Sequence, residues 1–386
     1  MSYDAIVIGA GISGAATAYH LRKAGAKTLL VERGEPASGG TGKSAAIIRQ
    51  SYSTPLLVRL ARASITMLKN AKSELGRDAG FVQDGYCFVV SAEMLEGAKK
   101  NVAMQKSLGT VNEWSEGPGF PQHLPEINPD GIAGIVYEPE GGYADPVQAT
   151  EAYIAGFEKL GGEFRARTPA RRLLRDGARI TGVELDTGEV QAMHVVNAAG
   201  PWARPLAENA GLDLPLRSVR EQDTVWQVPA GRPVPKTSIS MAVDACYYRP
   251  LGRGRFIIGR GFPKEYFDVD PYNFKASADD AFIRDVQTRV ERRFPAFAGM
   301  KLIEAYAALY DVSPDWYPIV GPRAGLAGYA DFCGGSGHGF KIAPAIGREL
   351  ADWLLTGKVA DDFHQFSYDR IAQGKLFVQS FGGNRG

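Results

Sequence analysis

The sequence predicts an α/β protein of two domains, a discontinuous one built on a parallel sheet and a second, mainly antiparallel one inserted into it. Three observations carry this. Asp4 to Gly9 is a short β-branched run suited to a buried parallel strand, and a helical stretch from Ser13 to about Lys23 and a second strand from Lys27 to Val31 follow it. The middle of the chain has a different texture, strand-rich from 218 to 310 with one helix near 278–293. The first texture then returns: 333–356 reads as a glycine-rich turn running into an amphipathic helix.

The other elements follow in order. A helical pattern runs from Pro55 to Leu75, apolar at Leu56, Leu57, Leu60, Ile65 and Leu68. Residues 86–90 read as a strand, 117–130 as a Pro/Gly-rich connection, and 141–160 as a loop entering a helix. Ile180 to Leu185 and the stretch from Val190 read as strands flanking a turn, and Val195 to Gly200 as a further buried strand. The expected division gives 1–84, 141–217 and 315–386 to the first domain, and 85–140 and 218–314 to the inserted one.

Bulk properties remove several function classes. The chain has 386 residues, 45% hydrophobic and 23% charged, the balance of an ordinary globular protein. Lys and Arg number 44 against 43 Asp and Glu, so no global field recruits nucleic acid or an anionic membrane. Three dispersed cysteines and five histidines without metal-ligand spacing predict neither disulfides nor a metal site. Without a signal peptide or an 18-residue apolar stretch, a cytoplasmic protein with no transmembrane segment is expected.

Gly9, Gly11 and Gly14 form a G-x-G-x-x-G pattern between the first strand and the first helix. Gly9 permits the tight turn, Gly11 lets backbone approach a pyrophosphate, and Gly14 lets helix pack on strand. Ile12 and Ser13 open the helix whose N-terminus faces the negative charge. Glu32, followed by Arg33, ends the second strand, where an acid accepts bonds from ribose hydroxyls. This is a Rossmann-like dinucleotide site, and the pattern alone does not separate FAD from NAD. A second glycine- and hydroxyl-rich loop, Ser38 to Ser44 with Thr41, is either a surface loop or a wall along an extended cofactor.

At this point the sequence resembles the D-amino-acid oxidase superfamily of FAD-dependent oxidoreductases, in particular its sarcosine oxidase and glycine oxidase branch. The resemblance runs from Asp4 to about Gly357, most specifically in Gly334 to Pro344, with support from 141–146, 195–202 and 313–322. It implies a Rossmann-like FAD-binding domain with an inserted antiparallel substrate domain. The turn carrying Gly337, His338, Gly339, Phe340 and Lys341 would present backbone amides to the flavin. Ser44, Ala45, Ala170, Ala199 and Gly200 fall at further cofactor positions of the family pattern, and Trp202 reads equally as wall or core. Arg49 and Lys341 match the cations that grip a substrate carboxylate, and Tyr248 and Tyr310 match tyrosines of the same pocket. The implied reaction is hydride transfer from the C–N carbon of a small amino acid or N-methyl amino acid to flavin N5, giving an imine that water hydrolyses.

Three departures qualify the match. Ala308 stands where sarcosine oxidases attach flavin to a cysteine, so non-covalent FAD is expected. The segment Phe256 to Gly259 lacks the lysine associated with oxygen reduction, which leaves oxygen, a quinone or a partner protein open as electron acceptor. Ala46 replaces a basic residue and a pocket histidine is unmatched, so the substrate need not be sarcosine. Oxidation of a 2-hydroxy acid and a subunit that needs a partner chain are the other readings. The cluster Arg249, Arg253, Arg255 and Arg260 is either a solvated turn or a mouth that attracts acidic substrates.

Overall fold

The computed structural model describes residues 2–116, 123–262 and 264–377. Residues 117–122 of the expected Pro/Gly-rich connection lie outside them. The first sheet has eight strands, in spatial order Ile319–Arg323, Leu326–Cys333, Arg179–Leu185, Gly188–Asn197, Ser2–Ile8, Thr28–Val31 and Glu163–Arg165, with Ala170–Asp176 pairing off Arg179–Leu185. Its centre is parallel: Ser2–Ile8 lies between Gly188–Asn197 and Thr28–Val31, and Leu326–Cys333 continues the direction. Burial on both faces explains the β-branched runs without alternation.

The helix Ile12–Lys23 covers one face of this sheet and packs against Ala343–Thr356 and Pro146–Lys159. Its small residues Ala15, Ala16 and Ala18 are fully buried. The approach to the C-terminal helix is close because Gly347 has no side chain; a Cβ there would lie 2.8 Å from the Thr17 nitrogen. Pro146–Lys159 begins where Asp145 accepts hydrogen bonds from the Val147 and Gln148 amides at 3.0 and 2.9 Å, the usual N-cap device.

The second sheet also has eight strands: Lys301–Val312, Arg217–Gln227, Arg255–Arg260, Cys246–Gly252, Ser238–Met241, Tyr86–Val90, Gly134–Glu138 and Glu113–Ser115. Every neighbouring pair is antiparallel except Ser238–Met241 with Tyr86–Val90. Side chains alternate between its faces. Cys87, Ile239, Cys246, Tyr248 and Ile258 face the helix Asp280–Arg293 and its aromatic end. Tyr86, Phe88, Val225, Tyr247 and Ile257 face the opposite way, against Ala45 and Ile47. A two-stranded ribbon, Ile47–Ile48 with Gly142–Tyr143, lies between the sheets.

Three local readings change. The helix expected from Pro55 to Leu75 ends at Lys69, and a separate turn of helix spans Ala71–Glu74. The two strands read at 190 and 195 are one strand, Gly188–Asn197, because its polar outer half pairs with Arg179–Leu185 while its apolar half enters the parallel centre. The helix Leu95–Ser107 was not expected; its buried face includes Asn101 and Gln105, which blurs the apolar period.

Candidate active site

A cavity of about 330 Å³ opens at the carboxyl ends of the parallel strands, where open α/β sheets bind ligands. Gly9, Gly11, Ile12 and Ser13 line it on one side. Gly9 has φ +100°, and a Cβ on it would meet the Ala198 carbonyl oxygen at 2.5 Å. Gly14 does not line the cavity: a Cβ there would sit 1.8 Å from the Gly9 oxygen, so its part is helix-on-strand packing. Thr41 reaches the helix start, its Oγ1 accepting from the Ile12 amide at 3.3 Å. Glu32 ties down the same turn, its carboxylate accepting from the Ala10 and Gly34 amides, each at 2.8 Å.

Arg33, Ser44, Ala170, Ala199 and Gly200 also line the cavity. Arg33 stacks on Trp202 at 3.6 Å from its ring centre, so Trp202 is wall rather than core. Sequence reasoning missed Tyr272 and Asp311 as lining residues; neither belongs to a glycine or hydroxyl pattern. Cys333 lines the cavity too, a cysteine that the reading of Ala308 did not place there. Burial pushes its thiol well above the ordinary value.

The C-terminal turn closes the far side through Gly337, Gly339 and Phe340. Gly337 has φ +81°, and a Cβ on it would strike the Tyr310 ring at 2.4 Å. Tyr310, which lines the cavity, therefore packs closely against the bare backbone of this turn. The Asp311 carboxylate accepts from the Gly334 amide at 2.6 Å and anchors the turn.

Beyond this turn the chain buries two cations. The Arg49 guanidinium is 3% exposed, donates to the Ser51 carbonyl, and lies 4.6 Å from the Tyr52 ring centre and 6.0 Å from that of Tyr86. Lys341 is 6% exposed and has no hydrogen-bond or ion-pair partner among the described residues. Burial, then the neighbouring Arg49 charge, holds its ammonium well below the ordinary lysine range. Glu138 adds an attractive field to Arg49, but no carboxylate of the described residues forms an ion pair with either group, an arrangement that favours an incoming anion.

Four expected site residues stand elsewhere. Lys341, expected at the flavin as well as at the substrate, lines neither cavity. His338 lines a second cavity of about 30 Å³ beside Arg49, not the large one, and its Nε2 lies 2.7 Å from the Trp316 carbonyl oxygen. Burial, then Lys341, pulls it down to about 3. Ala45 is buried against the second sheet. Tyr248 is fully buried on the helix-facing side of that sheet, edge-on to Phe294 at 5.4 Å, and lines neither cavity. The strand alternation puts its neighbour Tyr247 on the other face, donating to Asp223 at 2.6 Å.

The family model described as FAD dependent oxidoreductase matches residues 4–353. The chain belongs to the DAO family of FAD-dependent oxidoreductases. Among curated relatives it is 28% identical to 4-methylaminobutanoate oxidase (formaldehyde-forming) of Paenarthrobacter nicotinovorans, over 95% of this chain and 45% of that protein. It is 26% identical to sarcosine oxidase subunit beta of Arthrobacter sp, over 97% of this chain and 92% of that one. The chain thus spans about half the length of several relatives, including rat dimethylglycine dehydrogenase, of which it covers 45%. A solved L-proline dehydrogenase from P. horikoshii superposes with a TM-score of 0.89 at 26% identity, covering 97% of this chain and 99% of that one.

The cavity of this FAD-dependent oxidoreductase fits its cofactor. Gly9, Gly11 and Gly337 each stand where a Cβ would fill the cradle or hit its wall. The glycine turns come from opposite ends of the chain and line the same cavity. Among the described residues, no helix is long and apolar enough to cross a membrane.

Proposed function

We propose that this chain oxidises the C–N bond of a small amino acid or N-methyl amino acid, whose carboxylate is held by Arg49 and Lys341. One observation carries this: a buried Lys341, without a hydrogen bond or ion pair among the described residues, lies within the field of the buried Arg49 guanidinium, in the turn that closes the cofactor cavity. FAD, when bound, supplies the two-electron, hydride-accepting chemistry.

The protein's own residues bind and orient. A guanidinium fork and an ammonium on one carboxylate fix the substrate in rotation as well as position. Tyr52, Tyr86 and Tyr317 around Arg49 are buried, and their burial keeps water from competing for the ion contact. Burial drives the Tyr52 hydroxyl above its usual value, so it stays protonated. Loss of a hydride leaves the substrate as an imine, which water converts to a carbonyl compound and an amine or ammonia.

FAD is held non-covalently in this reading. Ala308, in strand Lys301–Val312, has no nucleophile, and the buried Cys333 thiol is kept neutral rather than as the thiolate that flavin attachment needs. Acid precipitation should leave the flavin in the supernatant.

The decisive experiment is an anaerobic screen of amino and 2-hydroxy acids against the FAD-loaded chain, following bleaching of flavin absorbance. Reduction by an amino acid or N-methyl amino acid is expected; reduction by hydroxy acids alone overturns the reading. Admitting air then distinguishes oxygen from another acceptor. A second reading, a subunit working beside a partner chain, draws support from near-complete coverage of a relative named as a subunit. Under that reading the isolated chain takes up FAD yet no amino acid bleaches it.

A further inference from the structure

A third buried cation lies on the same face of the second sheet as Arg49. Arg249, in strand Cys246–Gly252, is 6% exposed, and its Nε has no hydrogen-bond partner among the described residues. Its guanidinium lies 4.3 Å from the Tyr143 ring centre. No carboxylate of the described residues is within ion-pair distance of it, although Asp84 and Asp145 contribute field. Burial pushes the Asp84 carboxyl up to about 7, so at neutral pH it does not fully cancel the guanidinium.

The sheet register places Arg249 relative to Arg49. Ser238 pairs with Tyr86, and Ile239 pairs with both Cys87 and Tyr248. One step along the antiparallel pair sets Ser238 opposite Arg249. Tyr86, Ser238 and Arg249 therefore form one row across three strands, on the face that carries Phe88 and Tyr247. Arg49 sits over Tyr86 at one end of this row. Strands are about 4.8 Å apart, so the ends of the row are roughly 10 Å apart. Between them the Ser238 Oγ is buried and unpartnered. The ribbon ties the ends together a second time: Tyr143, under Arg249, pairs with Ile47, two residues before Arg49.

A row of buried, unpaired polar groups with a cation at each end is costly unless a ligand satisfies it. We propose that Arg249 is a specificity-determining residue that receives a second carboxylate of the substrate, the first being held by Arg49 and Lys341. The preferred substrate class is then a dicarboxylic amino acid, or an amino acid whose nitrogen carries a carboxylate-bearing chain. This deepens the proposed function and rests on its carboxylate anchor.

The test uses the FAD-loaded chain without oxygen, titrated with two unreactive acids, glutarate and butyrate, while perturbation of the flavin spectrum reports binding. Glutarate should bind at least about tenfold more tightly, the minimum for one added charge-assisted contact. Arg249→Met should bring glutarate to within about threefold of butyrate while butyrate binding stays unchanged, and Arg249→Lys should fall between. Equal affinities in the unsubstituted protein overturn the inference, whatever the variants do. So does a variant that weakens both acids alike, which marks a structural role. The two readings separate cleanly: if butyrate binds through Lys341 and glutarate gains nothing, only the present inference falls. If neither acid binds, both fall.

Discussion

The Glu138 carboxylate accepts a hydrogen bond from the backbone amide of Gln50 at 2.6 Å, across 88 positions of sequence. Its other oxygen accepts from the Ser51 hydroxyl. Both partners directly follow Arg49, so Glu138 fixes the backbone that aims the guanidinium. Glu138→Ala should leave the Gln50 amide unpaired and weaken carboxylate binding by about tenfold, in line with 1–3 kcal/mol for such a loss. Glu138→Gln, which keeps an acceptor, should restore most of it. A rise in KM with little change in kcat is the expected signature; an unchanged KM in folded Glu138→Ala would refute the positioning role.

The same residue gives a pH prediction with a definite sign. Burial raises the Glu138 carboxyl from 4.5 to about 7. Between those values the folded chain holds a proton that the unfolded chain has lost. The contribution to stability is therefore complete below about 4.5 and disappears as pH rises through about 7. Melting temperatures at pH 5, 6, 7 and 8 should fall more steeply for the unsubstituted protein than for Glu138→Gln. Parallel curves would mean that Glu138 titrates normally.

Lys341 behaves in the opposite sense. Its pKa is depressed, and a bound carboxylate favours the ammonium. Carboxylate binding should therefore take up a proton where Lys341 is neutral, and affinity should weaken as pH rises. Lys341→Met should cost about 1.5–3 kcal/mol in butyrate affinity and flatten this dependence, and Arg49→Ala should cost a similar amount while moving the dependence to higher pH, because the Arg49 charge helps hold Lys341 down. Calorimetry in buffers of different ionisation enthalpy measures the proton uptake directly; none in the unsubstituted protein would refute the assignment.

Cofactor retention tests the far wall. Gly337→Ala places a Cβ against the Tyr310 ring, at a backbone angle that L-residues rarely adopt. The variant should fold, because the turn is anchored independently by Asp311, yet bind FAD about five- to a hundredfold more weakly, as strain of 1–3 kcal/mol implies. Flavin-to-protein ratio after gel filtration reads this out. Full occupancy at wild-type affinity would show that the turn does not touch the cofactor.

The sequence made the parallel sheet and its glycine turn legible because each residue there answers to a local rule. Gly9, Gly11, Gly14 and Glu32 are spaced along one strand–turn–helix–strand unit, and the chain places them as that unit requires. Tyr272, Asp311 and Cys333 were not legible as cavity walls, since three distant segments bring them together. Glu138 was hidden for the same reason: in sequence it is one acid at the end of a short strand, and only tertiary folding sets it on Gln50. Arg249 was visible as charge but not as a buried charge, because nothing in the arginine-rich turn tells which member points inward.

Tyr248 and Tyr247 offer the sharpest contrast between resemblance and geometry. Adjacent residues of a strand point to opposite faces, so a one-residue shift exchanges core for site. The Tyr248 hydroxyl is buried among Phe294 and Phe297 with no partner among the described residues. Tyr248→Phe should therefore stabilise the fold by about 0.5–1.5 kcal/mol and leave flavin reduction unchanged. Tyr247 instead donates to Asp223, whose carboxyl burial raises to about 6, on the face that carries Tyr310. Tyr247→Phe leaves that carboxyl without its donor and should cost about 1–3 kcal/mol. It should also alter the environment of Tyr310 at the cavity wall, visible as a shift in the bound flavin spectrum. If Tyr248→Phe slows reduction while Tyr247→Phe does not, the register that separates the two faces is wrong.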